Sequence, residues 1–258
     1  MRLATTPAHE GPVWVDGAVY FTTVPSPGVS LCRLDASGDV TVLLEDANMA
    51  NGMALAPDGR LVVCEQGTMT ARAAITLVDR VTGAREVLLD AFLGLPLNSP
   101  NDVLVARDGA VWFTDPSYGF VQGFRPPPAL PDQVYRHDPR TGSTTVVADG
   151  FDKPNGLALS PDESTLYVGD SERDEVLAFD LRRRHSWRFA EIAPGHPDGL
   201  KTDARGRVFV TFAGGIRVFD PDGTVVAEVA LPGAVNFAFG PDALVVTADD
   251  AIWAAPVP

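Results

Sequence analysis

Six oxygen-bearing side chains recur in phase along this chain, each leading into a short apolar run. They are Glu10 in Glu-Gly-Pro-Val-Trp-Val, Asn51 in Asn-Gly-Met-Ala-Leu-Ala, Asn101 in Asn-Asp-Val-Leu-Val-Ala, Asn155 in Asn-Gly-Leu-Ala-Leu-Ser, Asp198 in Asp-Gly-Leu-Lys-Thr-Asp and Asn236 in Asn-Phe-Ala-Phe-Gly. Carboxylates and carboxamides are the donors of a hard divalent cation. Ca²⁺ takes about 6–8 such oxygens. Glu10 and Asp198 offer two negative charges, and Asn101 and Asn155 offer neutral oxygens. Water or substrate would complete the shell. No cysteine and no evident histidine pair joins the set, so Zn²⁺ is the less natural ion. Asn-Gly is also a common turn dipeptide, and Asn51 and Asn155 can each be read that way. Against that reading, each repeat carries its own turn further on, and the polar residue returns in phase.

Six residues scattered over the chain can meet only if the fold brings them to one axis. Their spacing, 38 to 54 residues, is the period of a β-propeller with one four-stranded sheet per repeat. The second repeat shows the grammar. An alternating strand (52–56) is followed by Pro57-Asp58-Gly59, a strand at 60–65, a third at 74–79, a turn at Thr82-Gly83 and a fourth at 85–89. Asp-Gly is a strong hairpin signal. The sixth repeat offers only 237–239, 244–247 and 251–255, so its fourth strand is expected from Arg2–Thr6 at the other end of the chain. The expectation is an all-β, six-bladed propeller with four antiparallel strands per blade, closed by the N-terminal strand. Residues 1–258 would form one domain. The stretch Ser117–Asp132 is longer than a hairpin needs and is a candidate lid or a plain surface excursion.

Composition narrows the function. The net charge of −14 disfavours nucleic acid, which needs a basic patch, and suits cations. Cys32 and Cys64 are too few for a disulfide framework and read as buried thiols. No window resembles a signal peptide or a membrane span, so the default is a soluble cytoplasmic protein without membrane partners. A monomer or weak homo-oligomer is expected. Trp14, Trp112, Trp187 and Trp253 fall in strands and read as core. His9, His137, His185 and His196 show no pattern.

The chain resembles the regucalcin–gluconolactonase family of six-bladed propellers along nearly its whole length. The sharpest match is Asn98-Ser-Pro-Asn-Asp-Val-Leu-Val-Ala-Arg-Asp-Gly-Ala-Val-Trp-Phe-Thr-Asp-Pro-Ser-Tyr-Gly119, which is similar to the bacterial gluconolactonase signature. Glu10-Gly-Pro-Val-Trp, Pro154-Asn-Gly-Leu-Ala-Leu-Ser-Pro-Asp and Pro197-Asp-Gly-Leu support it. The resemblance implies one divalent cation, usually Ca²⁺, with Zn²⁺, Mn²⁺ or Mg²⁺ as substitutes. It places the ligands on Glu10, Asn155 and Asp198, a metal-lining or substrate-contacting role on Asn101, and the base on Asp198. Three positions depart from the family pattern: Gln66 stands where a His is usual, Leu95-Pro96 where a basic pair is common, and Thr23 where an Asp is common.

The chemistry implied is hydrolysis of a sugar lactone, with the cation acting as Lewis acid on the ring carbonyl. Asn51, Asp115 and Tyr118 are further candidates for substrate contact. Asp115 can equally be a residue that caps its strand before Pro116. Asp198 carries an objection as base, because a carboxylate on Ca²⁺ has a lowered pKa. Two other readings remain: a metal-dependent esterase or phosphotriesterase on the same site, and a non-catalytic calcium-binding propeller. A serine-hydrolase elbow and a zinc-protease helix motif are both absent from the sequence.

Overall fold

A computed structural model describes residues 1–25 and 28–258. Six four-stranded antiparallel sheets stand around one axis as the blades of a propeller. Blade 1 is Glu10–Val15, Ala18–Thr22, Leu31–Leu34 and Val40–Leu44, from the axis outwards. Blade 2 is Ala50–Leu55, Leu61–Glu65, Ala74–Val78 and Arg85–Leu89. Blade 3 is Val103–Val105, Val111–Asp115, Gln133–Asp138 and Ser143–Ala148, and blade 4 is Pro154–Leu159, Thr165–Asp170, Glu175–Asp180 and His185–Glu191. Blade 5 is Leu200–Thr202, Val208–Phe212, Gly215–Phe219 and Val225–Ala230.

Blade 6 takes three strands from the C-terminal part, Asn236–Phe239, Leu244–Ala248 and Ala251–Ala255. Its outermost strand is Arg2–Thr5. Arg2 pairs with Trp253 and Thr5 with Ala251, and the Met1 ammonium donates to the Ala254 carbonyl at 2.7 Å. The two ends of the chain thus complete one sheet, and the ring closes without a seam of unpaired strands.

The repeat dictates this arrangement locally. Asp58-Gly59 turns the first hairpin of blade 2 with Gly59 at φ +87°, a backbone state that glycine adopts without steric cost. Middle strands are buried on both faces, as their continuous Val, Leu and Phe runs require. The apolar core lies in layers between neighbouring blades. Ile75 of blade 2 packs with Phe113 and Tyr135 of blade 3. Val19 and Phe21 of blade 1 pack with Val245 and Ile252 of blade 6. Cys32 and Cys64 are free thiols inside these layers. Trp112 is buried there as expected, but Trp187 sits on an outermost strand and is 39% exposed.

Near the axis three innermost strands bulge at the same level, between Glu10 and Val13, Ala50 and Met53, and Pro154 and Leu157. A bulge bends its strand and re-aims a side chain. The glycine after the polar residue allows the blades to approach. Gly52 N–H donates to the Asn101 carbonyl at 2.8 Å, and Gly156 N–H to the Asp198 carbonyl at 3.0 Å. A Cβ at either glycine would run into that neighbouring backbone. Asn51-Gly and Asn155-Gly are therefore not turns. Their glycines serve close packing at the axis.

Candidate functional site

A cavity of about 350 Å³ opens at the end of the axis where the innermost strands begin. Glu10, Asn51, Asn101, Asn155 and Asp198 all line it, from five different blades or the loops that enter them. Tyr118 lines it as well. The first four are buried, and Asp198 keeps some surface open to the cavity. The Glu10 and Asp198 carboxyls are near enough for each charge to act on the other, and Asn155 favours the charged form of Asp198. Asn155 Nδ2 donates to Ser171 Oγ at 3.2 Å and to the Tyr118 hydroxyl at 3.5 Å. Ser171 Oγ in turn donates to the Pro197 carbonyl at 2.7 Å, one residue before Asp198.

The sixth residue of the series does not reach the cavity. Asn236 is buried behind Glu10 and donates from Nδ2 to Glu10 Oε2 at 2.7 Å. Its own Oδ1 accepts the Phe237 N–H at 2.8 Å. Five of the six head groups thus converge, and the sixth orients one of them.

Two carboxylates this close, deep in the protein and without a cationic side chain between them, make an unfavourable pair. Burial, and after it the Glu10 charge, pushes the Asp198 carboxyl well above its ordinary range. A divalent cation would reverse that balance. Asn51 Oδ1 and Asn101 Oδ1 are buried acceptors without a hydrogen-bond partner, so their lone pairs could serve a cation. The donor set is two carboxylates and three carboxamides, all oxygen, which suits Ca²⁺ better than Zn²⁺. Among the described residues no group of three or more His, Cys, Asp or Glu side chains converges as a metal site. Any ion here depends on the asparagines.

Asp115 does not line the cavity. It is fully buried, and its two oxygens accept the backbone N–H groups of Asn98 and Ser99, both at 2.9 Å. Burial raises its carboxyl to about 7, against these two hydrogen bonds. The same device recurs in blade 4, where Asp170 accepts the N–H groups of Asp152 and Lys153 at 2.9 and 3.1 Å. Both carboxylates pin the loop that enters the innermost strand of their blade. The capping role, not substrate contact, is the one the structure gives Asp115.

Ser117–Asp132 is ordered over the rim. It opens with one helical turn, Tyr118–Val121, which brings Tyr118 and Gln122 to the cavity. Arg125 fastens it. This buried guanidinium donates to the carbonyls of Asn98 (2.9 Å), Leu97, Thr68 and Ala71 (3.0 Å each). One side chain thereby ties the insertion to the loops of blades 2 and 3.

Two histidines were not expected at the site. His9 and His196 both line the cavity. Each holds a carboxylate through Nδ1: His9 to Asp249 at 2.6 Å and His196 to Asp174 at 2.5 Å. Their sequence signal is position, one and two residues ahead of Glu10 and Asp198. A second set was also legible and missed. Thr22, Thr114, Thr211 and Thr247 stand at or one residue before the end of the second strands of their blades, are fully buried, and bond to backbone at the axis.

This fold defines a six-bladed β-propeller whose innermost strands bring carboxylates and carboxamides to one axial cavity. The model of the SMP-30/Gluconolactonase/LRE-like region matches residues 8–249, and the chain belongs to that family. It is 34% identical to a gluconolactonase of Zymomonas mobilis over 86% of this chain and 69% of that one. The solved structure of a gluconolactonase from Xanthomonas campestris superposes with a TM-score of 0.89 at 36% identity, covering 100% of this chain and 88% of that one. A calcium-binding regucalcin from Agrobacterium tumefaciens shares the fold, with a TM-score of 0.75 at 23% identity over 95% of this chain and 83% of that one.

Proposed function

We propose that the chain is a lactonase that opens a sugar lactone to the hydroxy acid at this cavity, with one divalent cation, Ca²⁺ first, held by Glu10, Asn155 and Asp198 and lined by Asn101. Family membership and the gluconolactonase relatives support lactone hydrolysis. The observation that supports a cation is the pair of unpartnered amide oxygens, Asn51 Oδ1 and Asn101 Oδ1, beside two adjacent carboxylates. When bound, such an ion supplies Lewis-acid polarisation of the lactone carbonyl and charge for the developing oxyanion.

The chain's own residues do the rest. Asn51 and Asn101 present amide groups that can hold ring hydroxyls and fix the carbonyl over Glu10 and Asp198. Water adds to the carbonyl carbon while Asp198 takes its proton. The ring C–O bond then breaks, and the leaving alkoxide recovers a proton from Asp198. Atoms balance as lactone plus water to hydroxy acid. Asn236 keeps Glu10 turned to the axis, and Asn155 joins Asp198 to Tyr118 and Ser171.

The test is acid release from a panel of aldonolactones, before and after chelation. Turnover that falls on chelation and returns with Ca²⁺ is expected. Turnover unaffected by chelation would remove the cation from the proposal, and no turnover of any lactone would remove the activity.

A further inference from the structure

The cavity lining is of two unlike kinds, and the contrast bears on what it admits. The polar part is the axial carboxylates and asparagines. Val29 and Met49, which pack into the same apolar cluster, line the cavity as well. Met49 gets there at a cost. Its φ is +56°, and its neighbours Asn48 and Asp46 are also left-handed, at +50° and +48°. A long apolar residue rarely adopts this state, and such strain persists only where surrounding bonds fix it. Here they do. Asn48 Nδ2 donates to Glu65 Oε2 and to the Arg72 carbonyl, both at 2.9 Å. The Gln66 N–H holds the Met49 carbonyl at 3.1 Å.

Charge is the second contrast. Among the described residues no lysine or arginine lines the cavity, whereas Glu10, Glu172 and Asp198 do. The two cavity histidines already have their own carboxylate partners, Asp249 and Asp174. No side chain there offers a phosphate or carboxylate a free cation, and Glu172 would repel one.

Resting on the lactonase reading, we infer that the site selects, among sugar lactones, neutral ones with an apolar exocyclic substituent, which Val29 and Met49 receive, over hydroxymethyl or anionic counterparts. Met49 is the residue that sets the preference. An apolar pocket discriminates about tenfold or more for one group of methyl size.

Three probes with one ring separate the cases: glucono-1,5-lactone, its 6-deoxy form and its 6-phosphate, each assayed for turnover. The matching lactams are titrated calorimetrically, so binding is read without hydrolysis. The 6-deoxy lactam is expected to bind about tenfold tighter than the hydroxymethyl lactam, and the phosphate at least tenfold weaker. Met49→Asn relieves the left-handed strain, because asparagine tolerates that backbone state. It should melt no lower than the parent and bind the deoxy and hydroxymethyl lactams equally. An unchanged ratio in Met49→Asn, or a phosphate bound as well as the others, overturns the inference. The deoxy preference in lactam binding without turnover of any lactone upholds it and overturns the lactonase reading instead.

Discussion

Asp115 and Asp198 are both carboxyls raised by burial, yet they do different work. Asp198 faces the cavity beside Glu10, and Asp115 faces backbone N–H groups in the protein interior. The second makes a pH prediction. Asp115 has a folded pKa of about 7, above the unfolded value of 3.8, so the native state binds the extra proton. Its contribution is full below about pH 4 and is lost as pH rises towards 7. The shift corresponds to roughly 4 kcal/mol as an upper bound. Chemical denaturation of Asp115→Asn across pH 4 to 8 should show a flatter stability profile than the parent. Parallel profiles would refute the assignment. At this scale the sequence was partly legible. Recurrence in phase found the five cavity residues because a propeller maps period onto position. It overreached at Asn236, where Phe237 replaces the glycine of four other units; Asp115, read apart from the series as either a substrate contact or a cap, is placed by hydrogen bonds to residues 16 and 17 positions away.

Among elements, the insertion is the one that the repeat grammar could not describe. Its length marked it, but no periodicity revealed that a buried arginine fixes it. Arg125 donates four hydrogen bonds to backbone carbonyls of two loops, so its removal leaves those carbonyls without their partner. Arg125→Ala is expected to cost on the order of 3 kcal/mol of stability. Because Tyr118 and Gln122 ride on the same insertion, kcat/KM should fall by roughly tenfold or more as the rim loses its position. Differential scanning calorimetry and lactone kinetics on the folded variant test both parts. A variant with parental melting and parental kcat/KM would show that the insertion holds itself. Hairpins, by contrast, were readable almost to the residue: 85–89 and 251–255 match the observed strands Arg85–Leu89 and Ala251–Ala255.

For the whole molecule, closure is the decisive feature. The N-terminal strand Arg2–Thr5 pairs with Ala251–Ala255 and covers an edge that would otherwise stay open. The short sixth repeat announced this, since three strands cannot make a blade that matches the other five. Deleting residues 1–6 should lower Tm by at least about 5 °C and promote association through the bared edge. Calorimetry and light scattering read the two effects, and a monomer with parental Tm would mean that closure contributes little. Closure also brings Glu10 of blade 1 against Asn236 of blade 6, so the integrity of the ring and the geometry of the site are one matter.

The central claim is that Glu10, Asn101, Asn155 and Asp198 gather around one divalent cation. Calorimetric titration of the chelator-stripped chain with Ca²⁺ tests it most directly. One ion per chain is expected, with binding lost in Asp198→Asn and in Glu10→Gln while circular dichroism stays that of the parent. Absence of binding by the parent, or undiminished binding by both folded variants, would contradict it.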